Sequence, residues 1–270
     1  MPEKPDVEAN EPETRAPSGK MATLWNEVVD PIHAEFVFLT CCLITGLCDG
    51  SAYNAWSCFI SMQTGHNIGN TIFLGLGASN LPHGKAFGWL KSLVSICSFF
   101  VGAFSFSATT RRLGPRRRGT LFGTFLAQGA LIVVAAGLIQ GDVIPHRAPD
   151  DAALTGGRLF LELIPLALLA FQFGGQMAAS RMMGFNEIPT LVLTSVYFDL
   201  ASDPALTDGV TRNVKRNRRV GAVTAILVGA IAAGWLSRSE AEMQSALWIS
   251  AFLKFCIAVG WWFWWPEGSK

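Results

Sequence analysis

The amino-acid sequence predicts an all-α membrane protein with six transmembrane helices and two short re-entrant or half-helical segments, arranged as two inverted repeats of about 127 residues. Composition is the first observation: 50% of the residues are hydrophobic and 15% are charged, whereas soluble domains contain about 25% charged residues. The charges are also segregated, because stretches such as 121–139 and 220–236 contain no Asp, Glu, Lys or Arg. Each of these stretches is long enough to cross roughly 30 Å of hydrocarbon as a helix.

The first 32 residues differ from the rest of the chain, because they are rich in Pro and Glu and have no apolar run. Such a composition buries too little apolar surface to offset the entropy of ordering. We therefore predict that 1–32 is a disordered, acidic tail in the cytoplasm. The segment also lacks the basic start and the apolar core of a cleavable signal peptide.

Eight apolar segments can be marked along the chain, and two of them are doubtful as membrane spans. The second is polar and broken by glycines, and the sixth, IPTLVLTSVYFDL, is shorter than the ~20 residues that a spanning helix needs. The segments cover about 34–52, 58–78, 86–108, 119–141, 158–181, 188–200, 217–238 and 246–266.

Two basic linkers constrain the number of crossings. Arg111–Arg118 and Arg212–Arg219 hold most of the positive charge between segments, and the positive-inside rule predicts that both are cytoplasmic. Both linkers reach the cytoplasm only if the sixth segment enters and leaves on one side. Treating the second segment in the same way gives six crossings with both termini cytoplasmic. Seven crossings, with only the sixth segment re-entrant and the amino terminus outside, fit the basic linkers equally well.

An internal repeat favours six crossings. Each unit, 33–141 and 158–266, then contains a helix, a short polar segment and two further helices, which makes three crossings. An odd number of crossings inverts the second unit relative to the first, as in many secondary transporters. An offset of 126–127 residues aligns Glu35 with Glu162, Asp49 with Gln176, 101–103 with 228–230, and Gln128 with Lys254.

The stretch ISMQTGHNIGNTIFLGLG, residues 60–77, is the first candidate site, because it combines polar side chains with glycines inside an apolar segment. Irregular chain at membrane depth survives only where protein or an aqueous cavity surrounds it. Ionisable groups inside spans mark ion or solute paths by default. The candidate substrate- or ion-binding residues are Asp49, Gln63, Thr64, Asn67 and Asn70 in the first half, and Gln172, Gln176, Thr194, Asp199 and Lys254 in the second.

These polar groups also have interpretations that involve no ligand. The amides and hydroxyls would then hold helices together, at perhaps ~0.6 kcal/mol each. Asp49 and Lys254 would form a buried ion pair, or Lys254 would extend its ammonium toward the membrane surface. We expect Asp49 and 63–67 to lie together near the bundle centre and to face residues of 172–199.

No motif of enzymatic chemistry appears in the chain. The six cysteines lie in apolar segments with no C-x-x-C pair and no histidine at ligand spacing, so packing explains them better than metal binding or disulfides. We predict that the protein is not an enzyme, that it has no cofactor or metal, and that it does not bind nucleic acid. The expected partners are the lipid bilayer and an unidentified small solute.

Four tryptophans close the last apolar segment just before Pro266. Amphipathic indole rings favour the boundary between membrane and water. We therefore predict that Trp261, Trp262, Trp264 and Trp265 lie at the cytoplasmic interface. The sequence does not specify which membrane holds the protein, although the plasma membrane is favoured.

Several motifs together resemble a known family. Gly46-x-x-Asp49-Gly50 is followed by Gln63-Thr64-Gly65 and by an Asn-Thr-x-x-x-Gly-Leu run that starts at Asn70, with a weaker echo at 171–184. This pattern is similar to that of the YoaK-like family of multi-pass membrane proteins, domain of unknown function 1275. The form of the motif resembles that of fungal members. The resemblance covers nearly all of 33–266. The family's unbroken Gln-Thr-Gly-Asn-Thr is interrupted here by residues 66–69. The resemblance implies a polytopic membrane protein and leaves its activity open.

Two classes of function fit these observations. The first is a secondary transporter or permease for a small solute. In it, four polar residues of the first half face counterparts in the second half: Asp49, Gln63, Thr64 and Asn67 face Gln176, Thr190, Thr194 and Asp199. The second is a non-transporting membrane protein, such as a scaffold, an assembly factor or a lipid-handling module. A water-accessible cavity between the two short segments would favour transport, and a dry, tightly packed interface would favour the second class.

Overall fold

A computed structural model describes residues 20–63, 70–71, 74–75, 88–144, 158–239 and 242–268 of the chain. The described residues are all-helical, with six helices that are long and apolar enough to cross a membrane, which confirms the predicted fold class and the multi-pass architecture. The helices are α1 (Lys20–Asn26), α2 (Glu35–Trp56), α3 (Gly88–Leu113), α4 (Arg118–Gln140), α5 (Arg158–Leu161), α6 (Leu163–Met182), α7 (Thr194–Ala201), α8 (Val214–Leu236) and α9 (Glu242–Trp262).

One end of the bundle carries both basic linkers, and we call it the basic end. There the chain before α2 lies between the α3–α4 linker and the end of α9: Val29 N donates to Arg116 O at 2.9 Å, and Asp30 N donates to Trp265 O at 3.0 Å. Arg218, at the start of α8, forms an ion pair with Glu35 at 3.5 Å. The two linkers therefore lie at the same end of the bundle. Their cytoplasmic location stays a prediction.

The opposite end is held by contacts between other helix termini. Lys91, near the start of α3, forms a buried ion pair with Glu162, just before α6. Trp248, in the second turn of α9, donates its indole N–H to Gln140, the last residue of α4, at 2.7 Å. Consecutive long helices therefore run antiparallel, which is the arrangement that short linkers favour.

Close helix pairs form where glycines let two backbones meet. The most extensive packing joins α2 to α8, α3 to α6, and α4 to α9. A Cβ added at Gly46 would lie 2.1 Å from Ile226 O of α8, and one added at Gly102 would lie 2.1 Å from Phe171 O of α6. Gly229 and Gly174 occupy the matching positions on α8 and α6. Small residues at such crossings are typical of membrane helices, because association there depends on close packing.

The predicted sixth segment enters and leaves the bundle at the basic end. It begins near Arg218, which lies 3.5 Å from Glu187, and it reaches inward to the buried Thr190, whose φ is 61°. It then returns as α7, whose Asp199 pairs with Arg219 at 3.4 Å. Proline at 189 and the left-handed Thr190 prevent a continuous helix here.

The chain before α2 differs from the predicted disordered tail of 1–32. From residue 20 onward it forms α1 and then packs against the α3–α4 linker and the end of α9. The ring of Trp25 covers Gly119, since a Cβ there would lie 2.3 Å from the indole. The sequence did not predict this contact, because α1 has only seven residues. So short a segment cannot show the periodic spacing of apolar residues that marks a packed helix face.

Three of the four terminal tryptophans lie half-buried or exposed at the basic end, as expected of interfacial residues. Trp264 donates its indole N–H to Asp30 O at 2.8 Å, and Trp265 is 58% exposed. Trp261 departs from the prediction, because it is fully buried and its ring packs against Phe125. The helical repeat turns Trp261 toward the core, whereas its neighbours face the periphery.

The glycine crossing between α3 and α6 supports a first prediction. We expect Gly102→Leu to lower stability by at least 1–3 kcal/mol, because overpacking displaces the backbone of α6. The matched control is Gly234→Leu in α8, since a Cβ at Gly234 meets no heavy atom within 4 Å. Thermal unfolding of the purified protein, followed by size-exclusion chromatography, measures both. Equal melting temperatures for the two variants would show that the crossing tolerates a side chain.

Candidate functional site

Five polar residues from five parts of the chain meet near mid-depth, and we call them the lysine cluster: Lys254, Gln128, Gln176, Thr45 and Thr190. All five are fully buried. By helical rise, Gln128 lies roughly 15 Å along α4 from the basic end and Lys254 roughly 18 Å along α9 from the opposite end. The cluster therefore sits at the centre of the span.

Lys254 is the charged centre of this cluster. Its Nζ donates to Gln128 Oε1 at 2.6 Å and to Gln176 Oε1 at 2.6 Å, and it lies 5.2 Å from the centroid of the Phe125 ring. Among the residues that the structure describes, Lys254 forms no ion pair. An ammonium group buried without a counter-ion is expensive in a membrane, so the two amide oxygens and the ring are its compensation.

Gln176 connects the lysine to α2 and to the re-entrant segment. Its Nε2 donates to Thr45 Oγ1 at 2.9 Å and to Cys41 O at 3.2 Å. The Thr45 hydroxyl in turn contacts Thr190 O at 2.9 Å. One chain of hydrogen bonds therefore runs from α9 and α4 through α6 to α2 and to the segment after α6. Displacing any of these elements changes the environment of the ammonium group.

Several buried atoms in and next to the cluster have no hydrogen-bond partner within the part of the chain that the structure describes. Both the Nε2 and the Oε1 of Gln172 lack one, as do Gln128 Nε2 and Thr190 Oγ1. Gln172 is fully buried and lies one helical turn from Gln176, on the same face of α6. Each unpaired buried polar group costs about 1–3 kcal/mol. Together these atoms form a set of donors and acceptors that a water, an ion or a polar solute would satisfy.

Asp49 belongs to a second cluster, one turn beyond Thr45 on α2. Its Oδ1 accepts from Ile60 N at 2.9 Å and from Ser61 N at 3.0 Å, and its other oxygen bonds the Ser61 hydroxyl. The carboxylate thus acts as a cap for the chain that follows α2, which ends at the left-handed Ser57 with φ 54°. Its oxygens replace the backbone acceptors that an irregular segment would otherwise lack.

Gln63 and Asn70 extend the second cluster toward α3. Asn70 Nδ2 donates to Gln63 Oε1 at 3.0 Å and to Phe59 O at 2.7 Å, and Gln63 Nε2 contacts Ser95 Oγ at 3.2 Å. The predicted proximity of Asp49 and Gln63 is therefore present, with 59–61 between them. Through these contacts the two amide side chains hold the irregular chain after α2 against α3.

Asp49 and Lys254 do not form an ion pair with each other. The two clusters instead meet where Cys48, beside Asp49, contacts Ser250 at 3.3 Å, and Ser250 lies one turn before Lys254 on α9. Within the described chain, the carboxylate faces the backbone of 60–61 and the ammonium faces two glutamines. The ion-pair interpretation is excluded by this geometry, and so is extension of Lys254 to the surface, because its side chain is fully buried.

The remaining predicted residues lie elsewhere or outside the described chain. Thr64 and Asn67 fall outside the described residues. Thr194 is exposed at the start of α7, and Asp199 pairs with Arg219 at the basic end. Neither belongs to the lysine cluster, because Thr194 is already exposed where α7 begins and α7 then runs outward from Thr190 to the basic end. Nearby, hydrogen bonds from Asn213 and from the Ala205 N–H hold the pKa of Asp203 below its usual value.

Several residues that the structure brings to the two clusters were not among the candidates predicted from the sequence. Gln128 had been aligned with Lys254 by the repeat, and that pairing was the available signal for its role. Thr45 and Ser61 gave no signal, because single hydroxyls are common in membrane helices, where they bond their own helix backbone. Thr190, by contrast, was expected among the second-half counterparts, and the structure places its carbonyl on the Thr45 hydroxyl.

Residues 37–260 match the family described as "Protein of unknown function (DUF1275)". The chain belongs to this family. The match spans both clusters and nearly all of the six long helices of this DUF1275 protein. The same comparison with curated proteins and with solved structures found no match.

The capping role of Asp49 leads to a second prediction. Asp49→Asn keeps an acceptor for Ile60 N and Ser61 N, and its amide can donate to the Ser61 hydroxyl, so we expect it to fold with little loss of stability. Asp49→Leu leaves two buried N–H groups unpaired and should lose about 2–6 kcal/mol, at 1–3 kcal/mol for each group. Thermal melts of the two variants in detergent provide the comparison. If both melt like the parent protein, the carboxylate does not hold the 57–63 segment.

Proposed function

We propose that this DUF1275 protein is a secondary transporter of a small solute, with the lysine cluster as the solute site. One observation carries this proposal: among the described residues Lys254 has no counter-ion, and the buried amide of Gln172, one helical turn from the Lys254 partner Gln176, has no hydrogen-bond partner at either atom. A polar group that serves only to join helices should be paired, because an unpaired one destabilises the fold. Unpaired groups at mid-depth fit a site that becomes paired when a solute binds.

The chemistry of the cluster favours a solute rich in hydrogen-bond acceptors. An ammonium group has three donors, and two of them are used by the glutamines. The Nε2 groups of Gln128 and Gln172 add further donors that lack acceptors. A small anion, such as a carboxylate, would supply both the missing acceptors and the missing negative charge. The proposed substrate class is therefore a small organic anion.

Two ion pairs support the inverted repeat on which alternating access would depend. Lys91 pairs with Glu162 at the opposite end, and Arg218 pairs with Glu35 at the basic end. Each partner of one pair has its counterpart 127 residues away in the other pair. The same interaction therefore recurs at both ends of the bundle, as expected of two units related by a twofold axis in the membrane plane.

Helix packing has the same symmetry. Exchanging α2 with α6, α3 with α8, and α4 with α9 turns the α2–α8 contact into the α6–α3 contact and leaves α4–α9 unchanged. The glycine crossings exchange as well, from Gly46 with Gly229 to Gly174 with Gly102. Lys254 and Gln128, which the offset aligns, contact each other directly. Counterpart residues that touch each other are expected on either side of a twofold axis, so this contact supports the proposed arrangement.

The two ion pairs differ in solvent exposure, as the gates of an alternating-access protein should. The side chains of Lys91 and Glu162 are 2% and 6% exposed, whereas those of Arg218 and Glu35 are 26% and 22% exposed. The Arg218 guanidinium also forms ion pairs with two carboxylates, those of Glu35 and Glu187. In this conformation the ion pair at the opposite end is less exposed than the pair at the basic end. Transport would require the reverse arrangement as well, with the Lys91–Glu162 pair broken.

The third prediction compares two neighbouring glutamines of α6. Gln172→Met removes an unpaired buried amide, so we expect stability to rise by about 1 kcal/mol or more. Gln176→Met removes the acceptor of Lys254 and the donor to Thr45, so it should lose about 1–3 kcal/mol. Both substitutions approximately conserve side-chain volume. Chemical or thermal denaturation of the purified variants measures the difference.

Function is tested with the same two variants. Metabolite profiling of a deletion strain identifies the solutes that change, and uptake of those solutes into proteoliposomes is then measured. The transporter proposal predicts that Gln172→Met, although stable, transports at least tenfold more slowly than the parent protein. Full uptake by Gln172→Met, or a deletion profile with no change in any small anion, would favour the non-transporting alternative.

A further inference from the structure

A groove of about 240 Å³ opens between α3 and α4 on the outer face of the bundle. It adjoins the basic end, because its lining runs inward from Leu113 of α3 and Gly119 of α4. It is separate from both polar clusters, and its walls are mainly apolar. The groove is lined by Trp25, Ser105, Phe106, Thr109, Leu113, Gly119, Thr120, Gly123, Thr124, Ala127 and Phe171.

Small residues on α4 create this groove. Gly119, Gly123 and Ala127 recur at intervals of four residues, so they share one face of the helix. A Cβ added at Gly123 would meet no heavy atom within 4 Å, which shows that the space beside it is empty of protein. Although α3 and α4 are joined by a short linker, they pack far less extensively on each other than α3 packs on α6.

The depth of the groove matches one leaflet of a bilayer. From Leu113 to Ser105 the α3 wall rises roughly 12 Å, at 1.5 Å per residue. The hydrocarbon of one leaflet is about half of the ~30 Å core. The long axis of the groove lies along the helices, and one of its ends is at the membrane surface. An acyl chain of a lipid in the leaflet at the basic end has this position and direction.

Arginines lie at the end of α3 and in the α3–α4 linker, at the same end of the bundle as the mouth of the groove, although none of them lines the groove itself. Arg111 and Arg112 end α3, are exposed and form no ion pair with any described residue. Arg116 has one partner, Glu267, in an exposed pair at 3.6 Å. Basic residues beside a membrane attract anionic lipid headgroups. A zwitterionic or uncharged lipid would gain little from them.

We propose that this groove binds an anionic phospholipid from the leaflet at the basic end. One acyl chain lies between α3 and α4 along Gly123 and Ala127, and the phosphate lies near the end of α3, where Arg112 is on the side of the helix that carries the lining residues Ser105 and Thr109. The Trp25 ring closes the inner side of the mouth over Gly119. The site does not depend on the transport proposal, because it shares no residue with either polar cluster.

The fourth prediction tests this site by filling it. Gly123→Phe places a ring in the empty space and should reduce co-purifying phosphatidylglycerol at least tenfold. The matched control is Gly137→Phe on the same helix, where an added Cβ also meets nothing within 4 Å but the groove is absent. Native mass spectrometry after reconstitution in equal phosphatidylglycerol and phosphatidylcholine, followed by mild detergent extraction, counts the bound lipids.

A second variant separates the headgroup from the chain. The double change Arg111→Gln and Arg112→Gln should abolish the preference for phosphatidylglycerol and leave any residual binding equal for the two lipids. Thermal melts verify that each variant is folded. Equal retention of the two lipids by the parent protein, preferential retention of phosphatidylcholine or added sterol, or unchanged lipid in Gly123→Phe would overturn the proposal.

Discussion

The Lys254 ammonium group, held between two glutamine oxygens at the centre of the membrane, is the interaction on which the other features depend. A bilayer offers no water to a buried charge, so the protein must bring acceptors to it from several helices at once. Gln128 on α4 and Gln176 on α6 supply them, each at 2.6 Å. Through Gln176 and Thr45 the same network reaches α2 and the re-entrant segment, so five elements are positioned around one charge.

Close packing of the helices lets side chains from several of them reach one another at this point. Gly46 and Gly102 let α2 and α3 touch the backbones of α8 and α6, which draws the helices together at mid-depth. Ion pairs then fix the two ends, one sealed and one partly exposed. Glycine crossings at the centre and salt bridges at the ends are compatible with the rocking that the transport proposal requires, in which the centre would act as a pivot while the end contacts exchange.

Much of this architecture was predictable from the residues themselves. The absence of charge over long stretches indicates the six spans, and the two arginine-rich linkers indicate that the sixth segment re-enters. The alignment of Glu35 with Glu162 pointed to residues that now form matching ion pairs, although their basic partners, Lys91 and Arg218, were not recognised. A lysine beside an apolar stretch does not show, from sequence alone, whether it faces lipid, solvent or a carboxylate.

The side-chain partners were harder to predict, because they depend on helix rotation and on the path of irregular chain. Asp49 was expected to face the second half of the protein, and instead it caps residues 60–61 of its own half. Asp199 was expected in the core and lies at the surface, since α7 is only eight residues long. Thr190 was expected in the second-half site, but its partner Thr45 was not, and the role of Gln128 emerges only when α4 is placed in space.

The central claim, that the buried polar centre is reached by water during a transport cycle, is tested most directly at Cys48. This thiol is fully buried and contacts Ser250, one turn from Lys254. A variant whose only cysteine is Cys48 is reconstituted into proteoliposomes and treated with a charged, membrane-impermeant methanethiosulfonate. The control is a variant whose only cysteine is the exposed, peripheral Cys256. The account predicts that Cys48 is modified in the folded protein, and that a Lys91→Gln change accelerates the modification. Modification of Cys48 only after unfolding would contradict it.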